Sequence, residues 1–512
     1  MEYDWTTFAT YANYVRGLFV EPRRVPVAVV DEVLRNKYSQ LPLLPNLETL
    51  ALRYPAQLDA CGRFPFSKPT LANIAFARLF LCDSVAELFI YDIPPNSSSL
   101  DKNGSYRLFH LTNDIIKRAP NIRSLKLTTS NSPNKRETSC LDYILHALFN
   151  GLRNLEKVEL STCLFSSRAI SALSRSPRLR IISAAGLVFD MWGRGSQITA
   201  CASANAYYYS VDTVNAWPQL TQYTAVTGAQ QLSSMLQKQT FPSHRLTSLV
   251  ALLTSEFAHS NETSAIAVQD PNRNHHLDKV EISISNSTVI SLLRTISLNC
   301  HSLTKLYLDF NVPFGLEDGK SSDGRPFDAD DLSVLKHMEH LEELIVRDYR
   351  SLCISDDALV SIIGGFLSLK KLALFHIPDW TAVAHMDEED TVMSVSFIPP
   401  RTPSTIQTIF RILEILPSLT HLGIYIDFSI MAPEDVNHHS FPSRKFNSLL
   451  EILDLGHSPP PPPSTSEDFL KIFLSGSGAV EIGGAGLYDW GIVRDDMFEH
   501  IQDQQEAWEI FI

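Results

Sequence analysis

The sequence predicts an α/β solenoid, in which a parallel sheet is covered by helices on one face. The first observation is a nine-residue pattern, x-x-x-L-x-x-L-x-L, that recurs along the chain. Its last three positions read apolar, variable, apolar, which is the period of a short β-strand. The copies of this pattern lie at residues 44–52, 119–127, 152–160, 300–308, 338–346, 366–374 and 416–424.

The second observation is a helical period in the segments that precede these strands. Apolar residues there recur at i, i+3, i+4 and i+7, which places an apolar stripe on one face of a helix. Prolines at 120, 177 and 417 stand where such a helix should end. Helix and strand in alternation predict a parallel sheet with helices on one side. The stripes are Leu141, Ile144, Leu145 and Leu148; Val289, Leu292, Leu293 and Ile296; Leu359, Ile362, Ile363 and Phe366; and Ile406, Ile409, Phe410 and Leu413.

This combination resembles a leucine-rich-repeat protein, whose pattern is L-x-x-L-x-L-x-x-N/C-x-L. Only Cys163 and Asn311 occupy the Asn/Cys position, and the units run to roughly 25 to 50 residues against the usual 20 to 29. The resemblance implies an irregular horseshoe with the sheet on its concave face, helices on its convex face and poorly formed asparagine ladders. The alternative is an ordinary α/β domain with leucine-rich strands.

Composition excludes some classes of function. The chain has 512 residues, 44% of them hydrophobic and 20% charged, which is typical of globular proteins. A net charge of −14 argues against nucleic acid and anionic membranes as partners. The seven cysteines are scattered without a C-x-x-C pair, the first residues have no basic region or apolar run from which a signal peptide would be expected, and no apolar run reaches membrane-spanning length. We therefore expect a protein of the cytoplasm or nucleus.

In order, the chain divides into three parts. Residues 1–40 are expected to form an N-terminal cap or first irregular repeat. Residues 41–475 are the predicted solenoid, with irregular insertions near 187–240 and 378–402 and a proline-rich loop at 458–464. Residues 476–512 are predicted to supply a last strand and a cap, which closes the open end of the core.

Two segments allow more than one interpretation. The 187–240 stretch, with three tyrosines at 207–209, is either an irregular repeat with a long loop or an insertion that closes over a binding surface. The five prolines at 459–463 predict a polyproline II segment. Such a segment is either a stiff spacer or a ligand for an SH3 or WW domain.

The first fifty residues also resemble the part that follows the F-box in basidiomycete F-box proteins with degenerate leucine-rich repeats. LLPNLETLAL at 43–52 matches the next landmark of that family. An F-box is a helical module that docks to the adaptor of a cullin–RING ubiquitin ligase, and in the family it lies upstream of the Asp-Trp motif at which this chain starts. The resemblance implies a substrate receptor, with that adaptor as a partner only where an F-box precedes. The residues that carry it are Asp4, Trp5, Phe8, Tyr11, Ala12, Val15, Arg16 and Leu18.

Candidates for catalysis and for metal binding are few. His337 and His340 are spaced for one helix face, but they lack an H-E-x-x-H context and a third ligand. The glycines at 476–486 lack the spacing of a phosphate-binding loop. The acidic run at 387–390 lacks the alternation and the glycine of a calcium loop. The sequence therefore predicts neither an enzyme nor a cofactor or metal site.

The variable residue of each strand is expected on the side away from the helices, along the open concave face. A strip of mixed charged and aromatic side chains suits protein recognition, because Tyr, Phe and Arg are enriched in protein interfaces. The candidates are Arg53, Lys126, Glu159, Glu281, Tyr307, Asp309, Arg347, Phe375 and Tyr425.

The function that these patterns favour is a non-catalytic protein-interaction solenoid. By the resemblance, it would be the substrate-recognition region of an F-box-type ubiquitin ligase subunit, with an unknown protein as its target. The alternatives are a free-standing leucine-rich-repeat scaffold without a ligase role and, third, a hydrolase-like enzyme on an α/β fold. The enzyme would need a deep pocket with converging ionisable groups.

Overall fold

The computed structural model of the chain describes residues 10–20, 42–53, 77, 79–91, 102–129, 135–161, 164–185, 217–239, 241–253, 286–310, 327–348, 352–376, 404–426, 449–455, 458 and 481–483. Several predictions concern residues outside these ranges. They are the 378–402 excursion, the proline run, the C-terminal cap, the Asn/Cys positions Cys163 and Asn311, and the candidate site residue Glu281.

Sixteen strands lie among the described residues. They are β1 Gly17–Val20, β2 Thr49–Arg53, β3 Glu87–Tyr91, β4 Ser124–Leu127, β5 Lys157–Ser161, β6 Ile181–Ala185, β7 Gln222–Thr227, β8 Ser248–Leu253, β9 Lys305–Phe310, β10 Phe327–Asp328, β11 Glu343–Asp348, β12 Leu352–Cys353, β13 Lys371–His376, β14 His421–Ile424, β15 Ile452–Asp454 and β16 Glu481–Gly483.

These strands belong to two compact units. In the first unit, β1 to β7 pair in chain order, and every pair is parallel. In the second unit, the parallel order is β8, β9, β11, β13, β14, β15 and β16. The short strands β10 and β12 form a separate parallel pair. Parallel neighbours require a crossover between them, and helices supply it where the structure describes the connecting residues.

Eight α-helices lie among the described residues, and consecutive ones pack side by side. In the first unit α1 contacts α2 and α2 contacts α3, and in the second unit the contacts run from α5 through α6 and α7 to α8. Among the described residues, no helix is both long enough and apolar enough to cross a lipid bilayer. The helices are α1 Lys102–Arg118, α2 Lys135–Gly151, α3 Ser167–Leu173, α4 Ala229–Gln237, α5 Asn286–Asn299, α6 Ala329–Ser333, α7 Asp356–Ile363 and α8 Ile406–Ile415.

The core lies between sheet and helices, and the repeated leucines build it. All four predicted helical stripes are buried, and so are the two apolar residues of each predicted strand. Full burial of a leucine or isoleucine contributes about 1.5–3 kcal/mol to stability. Because each repeat buries a similar set of apolar side chains against its neighbours, each one contributes a similar amount to the stability of the array. The α/β leucine-rich-repeat solenoid that the sequence predicts is confirmed. The fourth position of the pattern has no exposed surface at Leu47, Ile122, Leu155, Leu303, Leu341, Leu369 and Leu419.

A turn precedes the strand of most repeats, and its first position is apolar in all of them except the repeats that begin with Ser176 and Ser243. In ten repeats the N–H of position 4 donates to the carbonyl of position 1, as from Leu419 to Leu416 at 3.1 Å. Position 1 is buried in the seven repeats of the pattern, for example at Cys300 and Phe366. Since Ala, Met, Cys and Phe all occur there, the sequence pattern leaves that position as a variable one.

Neighbouring repeats are joined by main-chain groups at the start of each strand. The carbonyl of position 5 accepts the N–H groups of positions 5 and 6 of the next repeat. The Arg16 carbonyl, for example, accepts from Glu48 at 2.8 Å and from Thr49 at 3.0 Å. The same double acceptance occurs at the carbonyls of Glu48, Ala86, Arg123, Glu156, Arg180, Thr247, Thr304, Glu342, Lys370 and Thr420.

An asparagine ladder runs along the turns of the first unit, at position 3. The Asn121 side-chain amide donates to the Asp83 carbonyl at 3.0 Å, and Asn154 donates to Pro120 at 3.4 Å. In both cases the acceptor is the position 2 carbonyl of the preceding repeat. The predicted ladder position follows the strand, whereas this ladder precedes it.

The 187–240 range, predicted as an irregular insertion, contains one regular repeat. Strand β7 and helix α4 both lie in it. Position 1 of this repeat is Trp217, which is fully buried against the rings of Tyr223 and Phe241 at centroid distances of 5.9 and 5.6 Å. Its φ of 50° lies in the left-handed region, which is strained for a residue with a side chain. Burial of the indole ring offsets that strain.

Candidate protein-interaction surface

The candidate site lies on the sheet face opposite the helices. Strand side chains alternate between the two faces, so position 8 of each repeat lies on the uncovered one. Strand pairing aligns these residues into one row across the first unit. That row, the first-unit row, consists of Phe19, Ala51, Phe89, Lys126, Glu159 and Ser183.

Apart from the buried Ala51, the first-unit row is exposed or half-buried, and two of its first three residues are aromatic. Phe19 is 57% exposed. Phe89 is half-buried, and its ring lies 6.5 Å from that of Tyr91, two residues further along the same strand. Lys126 on the next strand holds its ammonium 5.7 Å from the centre of the Tyr91 ring, within the range of a cation–π interaction. Phe89, Tyr91 and Lys126 thus form a continuous aromatic and cationic surface, and Phe19 lies two strands away from Phe89, across Ala51.

The predicted residues of the first unit fall on this surface. Lys126 and Glu159 lie on adjacent strands and form an ion pair with 2.5 Å between Nζ and Oε1. Both are half-buried, so the pair is less screened than an exposed one. Arg53 ends β2, is exposed, and is aligned with Tyr91 in the sheet register. The structure thus brings Arg53 of β2, Lys126 of β4 and Glu159 of β5 onto one face of the first unit.

In the second unit, three predicted residues meet in a polar cluster. The Tyr307 hydroxyl donates to Oδ2 of Asp309 at 3.2 Å. Nη1 of Arg347, on the adjacent strand, lies 3.3 Å from the Tyr307 oxygen and 3.3 Å from Oδ2 of Asp309. Asp309 is 1% exposed, so its charge is balanced by Arg347 in a site from which water is nearly excluded.

The pKa values in this cluster follow from burial and neighbouring charges. Burial raises the pKa of Tyr307, and the carboxylate of Asp309 raises it further. Burial acts to lower the pKa of Arg347. The groups that face it, Tyr307, Asp309 and Asp454, outweigh burial and raise it. Near neutral pH the cluster therefore holds a neutral phenol and a charged guanidinium beside the buried Asp309.

The uncovered face of the second unit has more buried residues than that of the first. In its position 8 row Tyr307, Ala373 and Asp454 are buried, whereas Val250 and Ile345 are half-buried. Tyr425, which follows β14, is buried as well. Strand alternation determines that these side chains lie on the face away from the helices. It does not determine how much of each side chain is accessible to solvent.

The structure does not describe the side chains of two candidates. Glu281 lies outside the described residues. Phe375 lies on β13 with its backbone aligned with Arg347, and its side chain lies outside the described part of the structure. A role of the nine candidates in protein binding stays a prediction.

Residues with catalytic or metal-binding chemistry show no assembly in the described ranges. No group of three or more His, Cys, Asp or Glu side chains that could hold a metal ion occurs there. His337 and His340 are both exposed, in the turn region before β11. Cys82, Cys300 and Cys353 are free thiols.

The repeats, the parallel sheets and the side-by-side helices define the class of this protein as an α/β leucine-rich-repeat solenoid. No protein-family model matches the chain. No curated protein matches it either.

Solved structures show similarity at low identity. A chain of the yeast Rad7 and Elc1 complex is 12% identical, with 85% of this chain and 84% of that chain covered and a TM-score of 0.32. A chain of the TLR13–ssRNA13 complex is 11% identical, with 86% and 51% covered and a TM-score of 0.30. A leucine-rich-repeat protein of Leptospira interrogans is 10% identical, with 88% and 98% covered and a TM-score of 0.22. At these identities and TM-scores, no statement about activity or partners follows from the three structures.

Proposed function

We propose that this protein is a recognition module that binds another protein through the uncovered sheet face of its first unit. The observation that carries the proposal is the accessible surface of Phe19, Phe89, Tyr91 and Lys126. Aromatic side chains bury a large area on binding at little entropic cost, and they dominate the energetics of many interfaces. Beside them, the half-buried Lys126–Glu159 pair supplies polar groups of fixed position, which favour specificity.

The test compares two double variants of the full chain. Phe19→Ser with Phe89→Ser removes the aromatic part of the proposed surface. Tyr143→Ser with Leu298→Ser removes two side chains that are 61% and 70% exposed on helices α2 and α5. We expect partner proteins to bind to the wild type and to the helix variant, Tyr143→Ser with Leu298→Ser. We expect the face variant, Phe19→Ser with Phe89→Ser, to lose them. Equal retention by both variants, with both folded by circular dichroism, contradicts the proposal.

The finer proposal is that this recognition serves a ubiquitin ligase. It draws on the resemblance of residues 4–18 and 43–52 to the segment that follows the F-box in the family named above. In that role the solenoid catalyses nothing and raises the effective concentration of a target near the ligase. The alternative is a scaffold that uses the same surface without a ligase.

Two measurements separate these roles. Full-length sequencing of the transcript shows whether an in-frame F-box precedes Met1, and co-purification shows whether the cullin adaptor binds. An F-box, a bound adaptor and a partner whose half-life lengthens on deletion of the gene are expected for the ligase role. A stable partner whose turnover does not change on deletion identifies a scaffold.

A further inference from the structure

Basic residues are concentrated in one part of the first unit. From Lys117 to Arg180 the sequence carries twelve Lys and Arg against four Asp and Glu, whereas the whole chain carries 43 against 57. The excess is therefore local, and the net charge of the chain conceals it.

The structure places half of these cations at one edge of the sheet. Five of them lie in the turns before β4, β5 and β6, and Lys157 is the first residue of β5. All six are exposed. Adjacent strands lie about 4.8 Å apart, so cations of neighbouring repeats lie within about one Debye length of each other and their fields add. This set, the basic edge, consists of Arg123, Arg153, Lys157, Arg175, Arg178 and Arg180.

Acidic side chains do not neutralise the basic edge within the described part of the chain. None of its six residues forms an ion pair there, whereas Lys126 and Arg168 of the same repeats do. Glu156 is the one acidic residue in these turns and strand starts. On the β3 side the edge is bounded by Asp83 and Glu87, both exposed.

We propose that the basic edge binds an acidic segment of a partner protein. Arginine supplies five of the six cations, and its planar guanidinium pairs with carboxylates through two parallel hydrogen bonds. An extended segment advances about 3.3 Å per residue, so carboxylates on it can reach cations of three successive turns. The acidic residues at the β3 side repel such a segment and limit its position to β4–β6.

A protein segment is favoured over a nucleic acid by two features of the same edge. Single-stranded nucleic acids are bound by basic grooves that also carry aromatic side chains for base stacking, and the segments that hold the edge, 119–124, 152–157 and 175–181, contain no aromatic residue. The remaining charge of the chain is strongly negative, which repels a long polyanion more than a short acidic peptide. The inference rests on the proposed function, since it adds a second contact for a protein partner beside the sheet face.

The experiment measures binding of a fluorescein-labelled decaglutamate peptide to the full chain by fluorescence anisotropy at low salt. Arg153→Gln with Arg180→Gln removes two cations of the basic edge. Arg294→Gln with Lys336→Gln changes the net charge equally at two exposed cations of the second unit. We expect the edge variant to weaken binding roughly five-fold or more and the control variant to change it less than two-fold. Arg153→Glu with Arg180→Glu is expected to abolish binding.

Three results would overturn the proposal. They are absence of peptide binding to the wild type, equal weakening by the edge and control variants, and tighter binding of an oligothymidylate that depends on the edge cations. The last result would assign the edge to nucleic acid. The Phe19→Ser and Phe89→Ser variant keeps the basic edge, so peptide binding by it separates failure of this inference from failure of the proposed sheet-face site.

Discussion

The Arg347–Asp309 pair allows a direct test of the polar cluster in the second unit. Arg347→Met keeps much of the side-chain volume and removes the cation beside a nearly inaccessible carboxylate. With 3.3 Å between Nη1 and Oδ2, the Coulomb attraction is about 5 kcal/mol at an effective dielectric constant of 20. Loss of one partner from a buried pair costs about 3–5 kcal/mol. Because the Arg347 side chain is 22% exposed, we expect about 3 kcal/mol.

Urea unfolding at pH 7 measures this free energy, and its pH dependence identifies the cause. In the variant, a carboxylate without its cation favours the protonated form on folding. The folded state then binds more protons than the unfolded state, so the loss of stability is expected to shrink as the pH falls from 7 towards 5. The matched control is Arg347→Met with Asp309→Asn, which removes both charges and is expected to recover at least half of the loss.

A loss below about 1 kcal/mol at pH 7 would refute this reasoning, because it would place the pair among exposed ion pairs of little net value. A double variant less stable than the single one would refute it as well. Either result would mean that packing, and not charge balance, holds Tyr307 and its neighbours in place.

Three further predictions concern the repeat core. Leu155→Ala, at a position without exposed surface, is expected to cost about 2–5 kcal/mol and to increase hydrogen exchange in the first unit, whereas Leu367→Ala at a 75% exposed position should change stability by less than about 0.5 kcal/mol. Asn121→Ala breaks the turn ladder and should cost about 1 kcal/mol in urea melts, and no change would contradict a stabilising ladder. Burial raises the pKa of Tyr223, so the stability that its neutral phenol contributes to the folded state is present below pH 10 and is lost progressively above it. Above pH 10 the free energy of unfolding of the wild type should therefore fall about 1.4 kcal/mol per pH unit more steeply than that of Tyr223→Phe. Parallel stability–pH curves for the two proteins above pH 10 would exclude this cause.

The sequence predicted the repeat architecture because apolar periodicity reports burial directly. Leucines at positions 4, 7 and 9 are the residues that have the least accessible surface, so strands such as β9 and β14 could be placed from the pattern alone. The helical stripes, for example Leu292 and Ile296, are equally informative because they face the same core.

The repeat at Trp217 escaped the pattern for a physical reason. Its buried strand positions hold Tyr223 and Ala225 in place of leucine, and its turn begins with tryptophan. Tyr223 packs against the large rings of Trp217 and Phe241, which fill this layer of the core. Packing constrains the summed volume of a layer and not the residue at each position, and a pattern of leucines cannot detect that exchange.

The candidate surface was predicted only in part. Alternation along a strand determines which face a side chain lies on, and it assigns Lys126, Glu159 and Arg347 to the face away from the helices. It carries no information on whether that face is open, so the burial of Tyr307 and Asp309 could not be derived. The basic edge was missed because net charge averages over the chain, and local counting along 117–180 would have found it.

The double acceptance at the strand starts makes the join between repeats independent of side chains. Almost any residue supplies the main-chain carbonyl and N–H groups that these hydrogen bonds need. The same hydrogen bonds can therefore link repeats of unequal length. Closing a longer excursion between two strands adds only about 0.6 kcal/mol for each doubling of its length. The solenoid can therefore accept insertions between its strands at low energetic cost, and spacers as different as those before β8 and β9 leave the strand register unchanged.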